Sequence, residues 1–158
     1  MNQVIQSTLK GSAIKSGSAI IALALKNMGV KRVFLFPGGT IAPLLDELVK
    51  IEIEYICLRH EQGAGFAAIG AAKETNFPQV VIVSSGPGVT NLVTCIADAF
   101  YDSVPILALT GQVQTDDINK EKKLRQTGFQ ETDVVGIMKS ISKKASVLTE
   151  TDNLYTKV

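Results

Sequence analysis

The sequence predicts an α/β protein with a doubly wound, mostly parallel sheet flanked by helices. Short apolar runs of strand length recur at 30–36, 51–58, 79–84, 105–110 and 144–148. Stretches of helical period separate them, and strands alternating with helices imply crossover connections and a parallel sheet. Several runs stop abruptly at turn residues, Pro37-Gly38-Gly39, Gly86-Pro87-Gly88 and Gly111-Gln112, in the place where α/β folds gather their ligand-binding loops. A length of 158 residues, 46% hydrophobic and 20% charged, suits one domain with a sizeable core.

In chain order, residues 1–16 are polar and unpatterned, a loose lead-in to a domain spanning 17–158. A helix is expected over 18–28, capped by Ser18 and stopped by Gly29. The strand 30–36 and a helix over 40–50 follow, the helix with Leu44, Leu45, Leu48 and Val49 on its apolar face. The second strand, 51–58, reads as buried and leads into a Gly/Ala-rich helix, 62–75, whose small residues let another backbone come close. After the strand 79–84, a helix over 89–101 should turn Leu92, Val93, Ile96, Ala97 and Phe100 inward. The strand 105–110 gives way to a long polar connection, 113–126; such connections are often functional. A helix over 131–140, a strand over 144–148 and the start of another helix at 151–158 complete the pattern.

Composition narrows the function classes. A formal net charge of +1 offers no reason to expect nucleic acid or an anionic membrane as partner, and Lys120, Lys122, Lys123 and Arg125 read as a solvated loop. Cys57 and Cys95 sit in apolar surroundings and read as small buried hydrophobes rather than a disulfide framework. One histidine with no close cysteine spacing argues against structural zinc. No run of about 18 apolar residues occurs, so neither a membrane span nor a signal peptide is expected, and the cytoplasm is the default location.

The stretch richest in chemical signals is residues 55–66, Y-I-C-L-R-H-E-Q-G-A-G-F, where a strand delivers Arg59, His60 and Glu61 to the sheet's carboxyl edge as a helix begins. Glu61 is the first residue to suspect of chemistry, although the helix dipole favours a glutamate in a first turn for its own sake. Residues 86–91, G-P-G-V-T-N, follow a strand and open a helix, as a dinucleotide fingerprint does. Asn91 replaces its third glycine, Pro87 holds the middle position and only Asp102 lies near the place of the ribose-binding acid, so that reading is disfavoured. No Gly-Lys-Ser/Thr of a phosphate loop occurs.

Taken together, R-H-E-Q-G-A, the upstream P-G-G at 37–39 and the downstream S-G-P-G-V-T-N at 85–91 resemble the pyrimidine-binding domain of thiamine-diphosphate enzymes of the acetolactate synthase (acetohydroxyacid synthase) group. The likeness covers residues 17–148. It implies the thiamine-diphosphate-binding fold and a catalytic role for Glu61, whose carboxyl group would hydrogen-bond N1′ of the aminopyrimidine. Pro37, Gly38 and Pro87 would wall the ring, while Thr90 and Asn91 would contact or orient it, with helix capping as their plainer alternative. The segment F-Q-E-T-D at 129–133 resembles the family's F-Q-E-A-D, which gives Gln130 an oxyanion-type role at the reacting end.

The resemblance also implies what lies elsewhere. Magnesium and the diphosphate are held in this family by a domain with a G-D-G…N-N motif, and no Gly-Asp-Gly occurs here. The expected enzyme is a 2-oxo-acid decarboxylase and carboligase acting on a substrate such as pyruvate, a homodimer or homotetramer, with FAD possible in the full-length protein. The helices at 62–72 and 89–101 would supply subunit contacts, and this stretch alone would be inactive. The preceding K-E-K-K-L-R-Q-T-G resembles relatives of unusual-sugar and surface-polysaccharide biosynthesis, leaving that carboligase, a simple decarboxylase or a non-catalytic scaffold as alternatives.

Overall fold

A computed structural model describes residues 16–119, 121 and 124–149. The expected segments at 1–15 and 151–158 lie outside them. Helix α1 (Gly17–Asn27) begins at Ser16, whose Oγ accepts from the Ala19 amide at 3.2 Å, so the cap falls two residues before the expected Ser18. Ser16 is extended and free to fold its hydroxyl over the first turn, whereas Ser18 is already helical. Strand β1 (Arg32–Leu35) leads through a 3-10 turn, Gly39–Ile41, into α2 (Ala42–Lys50). Strand β2 (Glu54–Cys57) is followed by α3 (Glu61–Thr75), β3 (Gln79–Val83), the short α4 (Pro87–Thr90), α5 (Val93–Tyr101), β4 (Ile106–Thr110) and α6 (Val134–Met138).

The four strands form an all-parallel sheet in the order β2-β1-β3-β4. Alternate strand residues feed two cores, as the pleat requires. Val33, Leu35, Val80 and Ile82 pack with Ala22, Leu25, Leu44 and Leu48 of α1 and α2. Phe34, Val81 and Val83 pack with Ala64, Ala68, Leu92, Cys95 and Met138 on the opposite face. The result is a helix–sheet–helix sandwich, and the strand order switches sense between β1 and β3: β2 is added on one side of β1, β3 and β4 on the other.

Four expectations need correction. The apolar run at 51–58 is not a buried strand: β2 lies at the sheet edge, Tyr55 is 50% exposed and Cys57 is exposed, because among the described residues no strand pairs with the outer side of β2. Only Cys95 is the buried thiol. The helix at 89–101 is two helices, broken at Asn91 and Leu92, and Phe100 faces outward. Residues 144–148 form no strand; a cleft of about 650 Å³ lined by them and by β4 lies where a ladder would run. Ala145 nevertheless packs on the core.

Among the described residues, no helix is long and apolar enough to cross a membrane.

Candidate active site

Because all four strands run parallel, the turns after them converge on one edge. The switch between β1 and β3 makes a crevice there, the usual ligand position in such sheets. Thr40, just after the Pro37-Gly38-Gly39 turn, ties the two sides together. Its hydroxyl lies 2.9 Å from Ser84 Oγ and accepts from the Ser85 amide at 3.1 Å. Gly38 and Gly111 admit this close packing: a Cβ on Gly38 would lie 2.5 Å from Ser84 Cβ, and one on Gly111 would lie 2.7 Å from Thr40 Cβ. Neither Thr40 nor Ser84 stood out in the sequence, where a threonine after Pro-Gly-Gly looks only like a helix start.

Glu61 enters this edge from the first turn of α3. His60 caps the helix, its Nδ1 accepting from the Gln62 amide at 3.1 Å, and both Arg59 and His60 are exposed. Glu61 is the buried member of the charged triplet, 9% exposed. Asn91 Nδ2 donates to Glu61 Oε2 at 2.9 Å. The other oxygen, Oε1, faces Gly88, where an added Cβ would touch it at 3.5 Å. A buried carboxylate requires such a partner, and here one amide satisfies one oxygen and leaves the second directed at a glycine backbone.

The helix break at Asn91 is what makes this contact. Gly86 has φ +59°, a conformation suited to glycine, and turns the chain out of β3 into α4. Asn91 then ends that single turn and points across to α3. Four residues further along each chain segment, Gly65 meets Cys95 of α5, so that Glu61–Asn91 and Gly65–Cys95 are successive rungs between α3 and the broken α4–α5 segment.

The remaining expected site residues are distributed around this pair. Pro37 and Pro87 are exposed on the β1 and β3 turns, and Gly38 is half-buried against Ser84. Thr90 directs its hydroxyl to Pro87 O at 3.1 Å, a bond inside its own helix. Gln130 is exposed and has φ +57°, and its backbone abuts Gly86: a Cβ there would lie 2.6 Å from Gln130 O. The structure therefore brings together Glu61, Asn91 and the Gly86–Gly88 turn, and places Gln130 beside that turn. None of Glu61, Asn91 or Gln130 lines the cleft along β4.

This parallel sheet, with a carboxylate delivered to its switch point, is the arrangement of a cofactor-binding α/β domain. Residues 15–137 match the family model described as thiamine pyrophosphate enzyme, N-terminal TPP binding domain, and the chain belongs to that family. It is 46% identical over 140 residues to the acetolactate synthase large subunit of Lactococcus lactis, covering 88% of this chain and 23% of that protein. It is also 41% identical over 139 residues to the acetolactate synthase isozyme 2 large subunit of Escherichia coli, covering 88% and 24%. The acetolactate synthase large subunit of Cyanidium caldarium is 43% identical over 152 residues, covering 93% and 25%. The chain thus spans about a quarter of the length of the curated relatives it matches.

Proposed function

We propose that this chain holds and activates the aminopyrimidine half of thiamine diphosphate, as the N-terminal domain of a 2-oxo-acid decarboxylase and carboligase of the acetolactate synthase type. The observation that supports this most strongly is the Glu61 carboxylate, buried at a helix N-terminus with Oε2 held by Asn91 and Oε1 turned toward Gly88. When bound, thiamine diphosphate would supply the carbon nucleophile that 2-oxo-acid chemistry needs. Glu61 would hold a proton at Oε1 for the pyrimidine ring, raising the basicity of the ring's own amino group. Asn91 fixes the carboxylate's rotamer. Gly88 leaves room for a flat ring, and Pro37, Gly38 and Pro87 wall it; Thr90 supports the turn from within α4. Gln130 stands at the reacting end as a donor to oxygen.

The described residues suit the ring half of the cofactor and not its metal: no group of three or more His, Cys, Asp or Glu side chains among them is arranged to hold an ion. We assign magnesium and the diphosphate to another domain or subunit, and any FAD to the rest of the protein. Pyruvate is the proposed substrate. A homodimer or homotetramer is the proposed assembly, with the exposed Phe66 of α3 and Phe100 and Tyr101 of α5 on the contact surface.

The test is Glu61→Gln in the complete protein, assayed with pyruvate, magnesium and thiamine diphosphate. The amide cannot share a titratable proton with N1′, so turnover and hydrogen–deuterium exchange at the thiazolium C2 should both fall by about 10²- to 10⁴-fold. Unchanged rates would remove Glu61 from the mechanism.

A further inference from the structure

The connection between β4 and α6 carries Gln130, and its organisation draws in a neighbouring residue, Glu131. Among the described residues of 111–133 the only regular element is a 3-10 turn, Thr115–Asp117, yet the ends of the connection are fastened. Gln112 Nε2 donates to Thr132 O at 3.3 Å, and Val113 packs so tightly on Gly128 that a Cβ there would lie 2.5 Å from Val113 Cγ1. Further out, Asn119 Nδ2 donates to Leu124 O at 2.6 Å.

Between these fastenings sits Glu131. Its Oε1 accepts the Asn119 amide at 2.6 Å and its Oε2 accepts the Thr127 amide at 2.7 Å. One carboxylate therefore grips both limbs of the connection, while its own amide donates to Gly128 O at 3.1 Å. The immediately preceding residue is Gln130, held at φ +57° against Gly86. A glutamine in the left-handed region is held there by its surroundings, since the conformation is costly for a side chain with a Cβ. The two charge-assisted bonds of Glu131 restrain the chain directly beside it.

We infer that Glu131 is a positioning residue: by clasping the amides of Asn119 and Thr127 it holds Phe129 and Gln130 at the mouth of the crevice, against the Gly86 turn. The catalytic part of this inference rests on the proposed function, since it takes Gln130 to act at the reacting end. Glu131 itself touches no reacting atom. A glutamine in its place accepts at one oxygen and presents an NH₂ to the other amide, so one limb is released and Gln130 loses its fixed direction.

The experiment compares wild type, Glu131→Gln and Glu131→Asp in the complete protein. Amide hydrogen exchange in peptides covering 117–130 should quicken about tenfold in Glu131→Gln. It should quicken less in Glu131→Asp, which keeps the charge but is one methylene short of spanning both limbs. With pyruvate, magnesium and thiamine diphosphate, kcat of Glu131→Gln should drop about 10- to 100-fold, the scale of a misplaced group. KM should stay within about twofold and exchange at the thiazolium C2 should be unchanged, because Glu61 is untouched. A merely structural role would lower C2 exchange and kcat in parallel, and that result overturns the inference, as does wild-type amide exchange or wild-type kcat in both variants. A wild-type protein with no Glu61-dependent C2 exchange would instead sink the thiamine reading, while the amide-exchange comparison still decides whether Glu131 pins this segment.

Discussion

Gly65→Ala should loosen the protein's two-helix clamp even though alanine is the better helix former. A Cβ on Gly65 would fall far inside van der Waals contact distance of Cys95 Sγ, 3.0 Å from Cys95 Cβ and 3.3 Å from Leu92 Cδ2. Cys95 cannot swing away freely: it is buried, and its Sγ donates to Leu92 O at 3.1 Å. Burial pushes its thiol up to about 11, so it remains a neutral donor rather than leaving as a thiolate. Overpacking of this kind costs about 1–3 kcal/mol. A carbon driven onto a buried sulfur belongs in the upper part of that range, about 2–3 kcal/mol, and the helix-propensity gain of alanine over glycine offsets about 1 kcal/mol, for a net loss of about 1–2 kcal/mol. On the same helix, a Cβ added to Gly63 or Gly70 would meet nothing within 4 Å, so Gly63→Ala and Gly70→Ala should stabilise by about 0.5–1 kcal/mol.

Amide exchange in α3 and α5, measured in the complete protein, gives the comparison region by region. Gly65→Ala should exchange about 5- to 30-fold faster there. Because Glu61–Asn91 is the neighbouring rung, C2 exchange should fall with it. Cys95→Ala makes the room that Gly65→Ala needs, so the double variant should be less destabilised than the two singles combined, with a coupling of about 1–2 kcal/mol. Wild-type exchange in Gly65→Ala, or strictly additive effects of the two changes, would refute the clamp.

How much of this was legible depended on whether the deciding contact was local. The run Val80–Val83 is buried on both faces, and an uninterrupted apolar strand in the middle of a parallel sheet advertises that directly. Tyr55 and Cys57 carry similar apolar character but sit at the edge, and strand order is a tertiary fact that composition does not encode. The run at 144–148 failed for the same reason, since pairing with β4 requires a geometry its own residues do not specify. The placement of Glu61 at the sheet's carboxyl edge was readable because a charge following a strand is conspicuous. The contacts of Asn91 were only half readable: its place in the turn was visible, but its bond to Glu61 depends on a helix break that the continuous apolar pattern of 89–101 concealed. Glu131 looked like an ordinary first-turn glutamate, and nothing nearby in sequence signals that its partners are Asn119 and Thr127.

Two further outcomes test the site and its supporting loop. Asn91→Leu removes the donor to Glu61 Oε2 at nearly constant volume and leaves that oxygen without its partner; the protein should lose about 1–3 kcal/mol and C2 exchange should slow about tenfold or more, with a wild-type exchange rate refuting an orienting role. The Glu131 clasp should be acid-sensitive in a defined direction. Its carboxyl is held below the ordinary 4.5 by the amide bond from Thr127 first, then by that from Asn119, with a smaller contribution from the Gly128 amide. A depressed folded-state value means the stabilisation is fully present above the unfolded carboxyl value and is lost as pH falls through the lower folded one. The Thr127 amide resonance in nitrogen-labelled protein should therefore stay constant from neutrality down to the ordinary glutamate range and move only below it. An inflection at or above 4.5 would mean that the two amides do not bind the charged form preferentially, and the clasp would then be packing rather than charge.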